Sequence, residues 1–398
     1  RSMGTRPHTV TVSRPSFTGP PRPAMGHLRR DARLLGRLAR ARVRGRPWVL
    51  SHLLTGRCNA GCATCLWRAA AAGSSAGGPA EAGQGSHRVG RSAAASETAL
   101  PGAELSTEEA AWLYERAAGA GIAQLVIWGG EPLLRADVGE VVRAGARAGL
   151  SVGLITNGWL LDERWEELRG WVDTLILSLD DTGEAHDRMR KLPGLYGRLD
   201  SFARGLRRDP LRPRLLVNCV LSRLNRGALR RVAPVALAWG AGLYFCPMET
   251  GELREGGFED RKGGLALSPT ELAEAAQLAR LLQEAGYPLR ATRRYLDLLY
   301  RDPLLRSYSC RAPRAILSVT ADGSFRDCLR RDAPLAKVRD LRRRGTGLEA
   351  LFSTPRYRAM LREAERCTVC NNPDVVETSW AWRLRPFMLL RLLSLAGR

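Results

Sequence analysis

The sequence predicts an α/β protein, an incomplete (β/α)6 TIM-like barrel over residues 48–250 followed by a small α+β domain built around cysteines. Three observations predict it. Short apolar runs alternate with helix-patterned stretches six times, each run ends in polar or glycine residues, and four cysteines stand together in the last quarter of the chain. Strand-then-helix order of this kind favours a parallel sheet with helices outside and chemistry at the strand carboxyl ends. A doubly wound open sheet is the alternative, but no Gly-x-Gly-x-x-Gly follows a strand to support it.

The chain of 398 residues suits two domains and buries a full core without disulfides. Nine cysteines is an odd count, and seven of them fall into two metal-like groups. With no secretory h-region upstream, the expectation is a reducing cytoplasm with thiolates on metal. The net charge of +22 is carried by arginine, and residues 1–57 hold thirteen Arg against one Asp, so the basic field sits mostly on one arm. No run reaches the roughly 18 apolar residues that span a bilayer.

In chain order, residues 1–24 read as a disordered lead and Leu28 to Arg44 as a basic amphipathic helix closed by Gly45 and Pro47, together a basic arm over residues 1–47. This arm lacks the interleaved aromatics of a nucleic-acid surface. Trp48 to Leu54 is a short buried strand, and residues 69–103, rich in Ala, Gly and Ser, are an inserted flexible loop. Ser106 and Glu109 form a capping box for a helix running to about Gly119. Strands follow at Gln124–Trp128, Ser151–Thr156, Thr174–Leu179, Leu215–Leu221 and Gly242–Met248, with helices between them. Residues 251–305 are a charged helical bridge, residues 306–374 the cysteine-defined domain and residues 375–398 a basic amphipathic tail.

Cys58, Cys62 and Cys65 hang from the carboxyl end of the first strand at spacing C-x3-C-x2-C. Three thiols are one too few for a closed zinc or cubane site, so a coordination position stays open for something that is not protein. At the end of the second strand stands Gly129-Gly130-Glu131-Pro132, whose glycines allow close backbone approach and whose carboxylate can accept from an ammonium. In these two motifs the chain resembles the radical S-adenosylmethionine (radical SAM) superfamily. The resemblance implies that the three cysteines hold three irons of a four-iron, four-sulfur cluster while the fourth binds SAM. It also implies SAM or substrate contacts at Gly129, Gly130, Glu131, Pro132, Asn157, Ser178 and Asp180. Thr64 stands where family members usually carry an aromatic residue beside the adenine, a departure for which Trp67, two residues after Cys65, is the candidate substitute. His186, Asp187 and Arg190 read as loop and helix-cap residues with substrate contact as the sharper alternative, and Cys219 and Cys246 as thiols within apolar strands, of which Cys246 is the better functional outsider.

Cys310, Cys328, Cys367 and Cys370 make a second group at C-x17-C-x38-C-x2-C, with a hairpin turning at Asp322-Gly323 between the first two. Spacing alone fits structural zinc or a closed cluster. The pattern resembles the Twitch domain, the shortened relative of the SPASM domain that follows many radical SAM cores and holds an auxiliary cluster. Two [4Fe-4S] clusters and SAM are therefore the implied cofactors, fed by an external one-electron donor such as flavodoxin or ferredoxin. The implied function is hydrogen abstraction by a 5′-deoxyadenosyl radical, leading to oxidation or dehydrogenation of a small molecule or peptide. Peptide maturation through carbon or thioether crosslinks is the alternative within that chemistry, and lipid modification a third. A metal-stapled scaffold or nucleic-acid-binding protein is the non-enzyme reading. The tail, with Trp380 and Trp382 among leucines and arginines, reads either as packing on the barrel or as a peripheral membrane contact of a cytoplasmic protein.

Overall fold

A computed structural model describes residues 36–37, 41–65, 103–248, 253–254, 257–258, 264–305, 307–326, 328, 334–368 and 370–383. The disordered lead, most of the arginine helix, Trp67, the inserted loop short of its last residue and the tail beyond 383 lie outside the described residues. Six parallel strands build the sheet, at β1 (Val49–Leu53), β2 (Gln124–Trp128), β3 (Ser151–Thr156), β4 (Thr174–Ser178), β5 (Arg214–Leu221) and β6 (Gly242–Pro247). They neighbour one another in sequence order, with at least one helix in each parallel crossover. The helices are α1 (Thr107–Gly119), α2 (Val138–Arg147), α3 (Leu161–Leu168), α4 (Gly183–Arg190), α5 (Leu195–Leu206) and α6 (Ala228–Trp239).

Period-two alternation decides which side chains meet those helices. On β2 it is Leu125 and Ile127 that are fully buried, with Leu154 and Leu177 on the following strands and Leu113, Val141 and Val232 from the helices. Each such side chain contributes roughly 2 kcal/mol by leaving water. The capping box forms as expected, Ser106 Oγ accepting from the Glu109 amide at 3.2 Å while the Ser106 amide donates to Glu109 Oε2 at 3.0 Å. The stretch holding His186 to Arg190 is the short helix α4 instead of a loop.

The partial barrel stays open, because β6 does not return to β1. The second edge of β1 carries β9 (Ile316–Val319), parallel and in register from Val49 opposite Ile316. The predicted hairpin forms between β9 and β10 (Ser324–Arg326), with Gly323 at φ +81°, and β11 (Pro334–Lys337) adds a further antiparallel strand. The hairpin of the cysteine-defined region thus belongs to the same nine-stranded sheet as the barrel. A two-stranded ribbon of β7 (Leu253–Arg254) and β8 (Gly257–Phe258) stands apart from it.

Seven more helices follow the sixth strand. They are α7 (Pro269–Glu284), α8 (Arg293–Arg301), α9 (Ala312–Ala315), α10 (Val338–Arg343), α11 (Leu348–Phe352), α12 (Pro355–Ala364) and α13 (Pro373–Trp382). The last of these runs through the expected tail boundary at residue 375. Trp382 stacks on Trp48 at 5.2 Å between ring centroids, with the Arg42 guanidinium 4.8 Å from its ring, and Arg294 covers Trp380 at 4.7 Å. Both indoles are buried by the chain itself, so the expectation that they reach lipid headgroups is corrected. Among the described residues no helix is long and apolar enough to cross a membrane.

Candidate active site

The loop bearing Cys58, Cys62 and Cys65 leaves β1 and is gripped from two sides. On one side the glycine pair after β2 presses against it, the Gly130 amide donating to Thr55 O at 2.8 Å and the Glu131 amide to Arg57 O at 2.8 Å. A Cβ on Gly130 would stand 2.1 Å from Arg57 O, and one on Gly129 2.5 Å from Thr55 O. The glycines are therefore required by the contact between two backbone segments, closer than the ligand approach their sequence suggested. On the other side, the last turn of α4 accepts from the loop, Arg190 O from the Gly61 amide at 3.0 Å and Met189 O from the Ala63 amide at 3.2 Å.

Glu131 is fully buried and its carboxylate is occupied. Thr156 Oγ1 donates to Oε1 at 2.7 Å, the Leu133 amide to Oε1 at 3.0 Å and the Asn157 amide to Oε2 at 2.7 Å. Burial pushes its pKa up, against the pull of those three donors. Its observed work is to tie the end of β3 to the glycine turn, while Pro132 opens a short 3-10 turn behind it. Asn157 reaches back to the cysteine loop, its Nδ2 donating to Asn59 Oδ1 at 2.8 Å. Ser178 faces the interior of the partial barrel, whereas Asp180 is withdrawn from it, 1% exposed and 2.8 Å from Arg190 Nη2.

Arg190 extends from α4 toward the loop, and its Nη1 donates to Cys62 Sγ at 3.7 Å. Burial opposes its charge, but Asp180 and Cys62 outweigh burial and hold its pKa above the ordinary value. Burial also pushes the Cys58 thiol up to about 12, opposed by the Ala60 amide that donates to its sulfur, and raises Cys62 against the influence of Arg190. His186 and Asp187 both lie within α4, and only Asp187 serves a helix start. The first accepts from the Asp180 amide on Nδ1, and the second takes the Gly194 and Tyr196 amides at the start of α5.

The second cysteine group comes from three places. Cys310 precedes α9, Cys328 follows β10, and Cys367 and Cys370 lie between α12 and α13. The Cys310 amide donates to Cys367 O at 3.2 Å, and the Arg311 amide to Ser379 Oγ at 2.8 Å, which joins the two arms. A single cavity of about 760 Å³ is lined by all seven cysteines of both groups, with Gly129, Gly130, Asn157, Ser178, Arg190 and Thr64. Its walls include Ile155, Ile176, Leu216 and Val220, and its volume lies in the range of small-molecule sites.

Among the described residues no three His, Cys, Asp or Glu side chains converge enough to hold one metal ion. The donor set, three thiols on one loop facing a cavity, fits a four-iron cube with one iron left open. Sequence reasoning missed Asn59, Asn218 and Asn372. Cys246 also lines the cavity, 3.3 Å from Asn218 Oδ1 and 3.7 Å from Asn372 Oδ1. Asn218 had a legible signal, a polar residue on the inward phase of an otherwise apolar strand; Asn372 had none.

The model of the Radical SAM superfamily matches residues 53–204, the stretch from β1 to α5. These residues are a radical SAM domain. Over 153 residues the chain is 37% identical to an AdoMet-dependent heme synthase of Methanosarcina barkeri, covering 38% of this chain and 43% of that protein. Over 192 residues it is 32% identical to a PqqA peptide cyclase of Ruegeria pomeroyi, covering 48% of this chain and 49% of that one. The chain thus spans about half or less of the length of these two curated relatives. In fold it is similar to Streptococcus suis SuiB bound to its precursor peptide SuiA, with a TM-score of 0.56 at 14% identity over 82% of this chain and 70% of that one. The radical SAM domain and the open, mostly parallel sheet agree with what the motifs and the strand order predicted.

Proposed function

We propose that the chain is a radical SAM enzyme whose Cys58, Cys62 and Cys65 hold the SAM-binding cluster and whose Cys310, Cys328, Cys367 and Cys370 hold a second cluster of the Twitch or SPASM kind. The observation that carries this reading is the shared cavity, which both cysteine groups line. Cys58, Cys62 and Cys65 would hold a cluster that, with SAM bound, would supply hydrogen-atom abstraction from an unreactive C–H bond. The chain's own residues do the rest. Glu131, Asn157 and the last turn of α4 fix the cysteine loop, Ile155, Ile176 and Val220 give an apolar wall, and Ser178 and Asn218 are polar groups that orient a substrate. A second cluster held by Cys310, Cys328, Cys367 and Cys370 would accept the electron left on the substrate, which makes the outcome an oxidation. Reducing equivalents would come from an acidic carrier such as flavodoxin or ferredoxin in the cytoplasm.

A peptide substrate is the second reading, favoured by the PqqA peptide cyclases among the relatives. A new carbon–carbon or carbon–sulfur bond made with loss of two hydrogens is itself a two-electron oxidation, so both readings make the same demand on the second site.

Anaerobically reconstituted protein with SAM and dithionite should release 5′-deoxyadenosine and carry about eight irons per chain. Cys62→Ala should abolish release while roughly half the iron remains, and Cys310→Ala should retain release but lose net product. SAM cleavage by Cys62→Ala would sink the core assignment. Four irons with one zinc would sink the second cluster alone.

A further inference from the structure

The two arginine–aspartate pairs at the end of β4 are built differently, one with a half-exposed arginine and one with both partners buried. Arg231 grips Asp181 with two nitrogens, both at 2.6 Å, and that pair is complete in itself. Arg190 gives Asp180 one terminal nitrogen at 2.8 Å and turns the other to Cys62 Sγ, with its side chain 12% exposed. Asp180 cannot follow the arginine, since its Oδ1 accepts from the Val220 amide at 2.9 Å and its own amide donates to His186. A guanidinium taken out of water costs several kcal/mol unless its partners recover it. An ion pair needed only for packing would be made as Arg231 makes its own.

We infer that Arg190, oriented by Asp180, is a positioning residue that raises the reduction potential of the group held by Cys58, Cys62 and Cys65. The inference rests on the reading that these thiolates carry a cluster. Reduction adds one negative charge to that cluster. A fixed cation donating to one of its sulfurs stabilises the reduced form more than the oxidised form, in the sense that hydrogen bonds to sulfur and local charge set such potentials. The asymmetry is specific to one ligand, because Cys58 receives a neutral amide from Ala60 at 3.4 Å.

The test is a redox titration of reconstituted full-length protein, followed by the electron paramagnetic resonance signal that responds to added SAM. Arg190→Gln should shift the reduction equilibrium at least tenfold toward the oxidised form, about 59 mV for one electron. Arg190→Lys, which keeps the charge, should recover most of that shift. A Gln variant that binds iron normally and titrates as the wild type would overturn the inference. Should the Gln variant fail to load, Arg190→Met, of similar length and without charge, decides by the same titration, with its midpoint expected to fall in the same way; a midpoint equal to that of the wild type counts against the proposal. Wild-type protein with no SAM-responsive signal would defeat the underlying function and not the role of Arg190.

Discussion

A Cβ at Gly130 has nowhere to go, because the atom it meets is the Arg57 carbonyl and not the end of a movable side chain. Gly130→Ala should therefore displace the cysteine loop, at a stability cost of ~3 kcal/mol. Misplacement of that loop should lower SAM cleavage on the order of a hundredfold. Gly197, inside α5, meets nothing within 4 Å. Gly197→Ala should raise stability by ~0.5–1 kcal/mol, through lower backbone entropy in the unfolded chain. Chemical denaturation and deoxyadenosine yield measure both. Equal behaviour of the two alanine variants would show that the turn is not under steric constraint. The motif Gly-Gly-Glu was legible from the sequence, but not its reason. Sequence offers a turn and a nearby ligand, whereas the partner that forbids a side chain comes from a segment more than seventy positions away.

At the scale of elements, two buried histidines fasten helices to the sheet. His52 on β1 has Nδ1 2.8 Å from the Tyr114 hydroxyl of α1, and His186 on α4 accepts from the Asp180 amide beyond β4. Burial lowers both pKa values to about 3, with Arg135 adding to the effect at His52 and Arg190 at His186. A histidine held neutral in the fold but titrating near 6.5 when unfolded binds more protons in the unfolded chain. Its contribution is complete above pH 6.5 and is lost as pH falls from there toward 3. Between pH 8 and pH 5.5 each should remove about 1.4 kcal/mol. His52→Asn keeps a polar partner for Tyr114 without the titration, so its denaturation midpoint should fall less steeply with acid. Parallel slopes for variant and wild type would exclude His52 as a source of acid lability.

At the scale of the molecule, β1 is an interior strand with β2 on one side and β9 on the other. A chain ending at residue 305 would strip one edge of that strand and uncover Trp48, so it should aggregate instead of yielding a soluble core. Light scattering and a cleavage assay on the shortened chain test this. A monodisperse fragment that still cleaves SAM would mean that the barrel stands alone. The six barrel strands were read to within a residue or two, because each carries its own apolar run and turn signal. The pairing of β9 with β1 was not legible, since periodicity reveals that a segment is a strand and says nothing of its neighbour across some 265 positions. Arg190 was likewise visible as a residue but not as a partner of Cys62, because a short polar helix such as α4 has no apolar stripe to orient it.

The ladder from Val49–Ile316 to His52–Val319 joins the strand that leads into the first cysteine loop to the strand that follows Cys310. Four consecutive paired positions hold that junction, and a parallel ladder of this kind leaves little freedom for one strand to slide along the other. The cavity that both cysteine groups line is thus walled by one continuous sheet, and its shape is settled when that sheet forms.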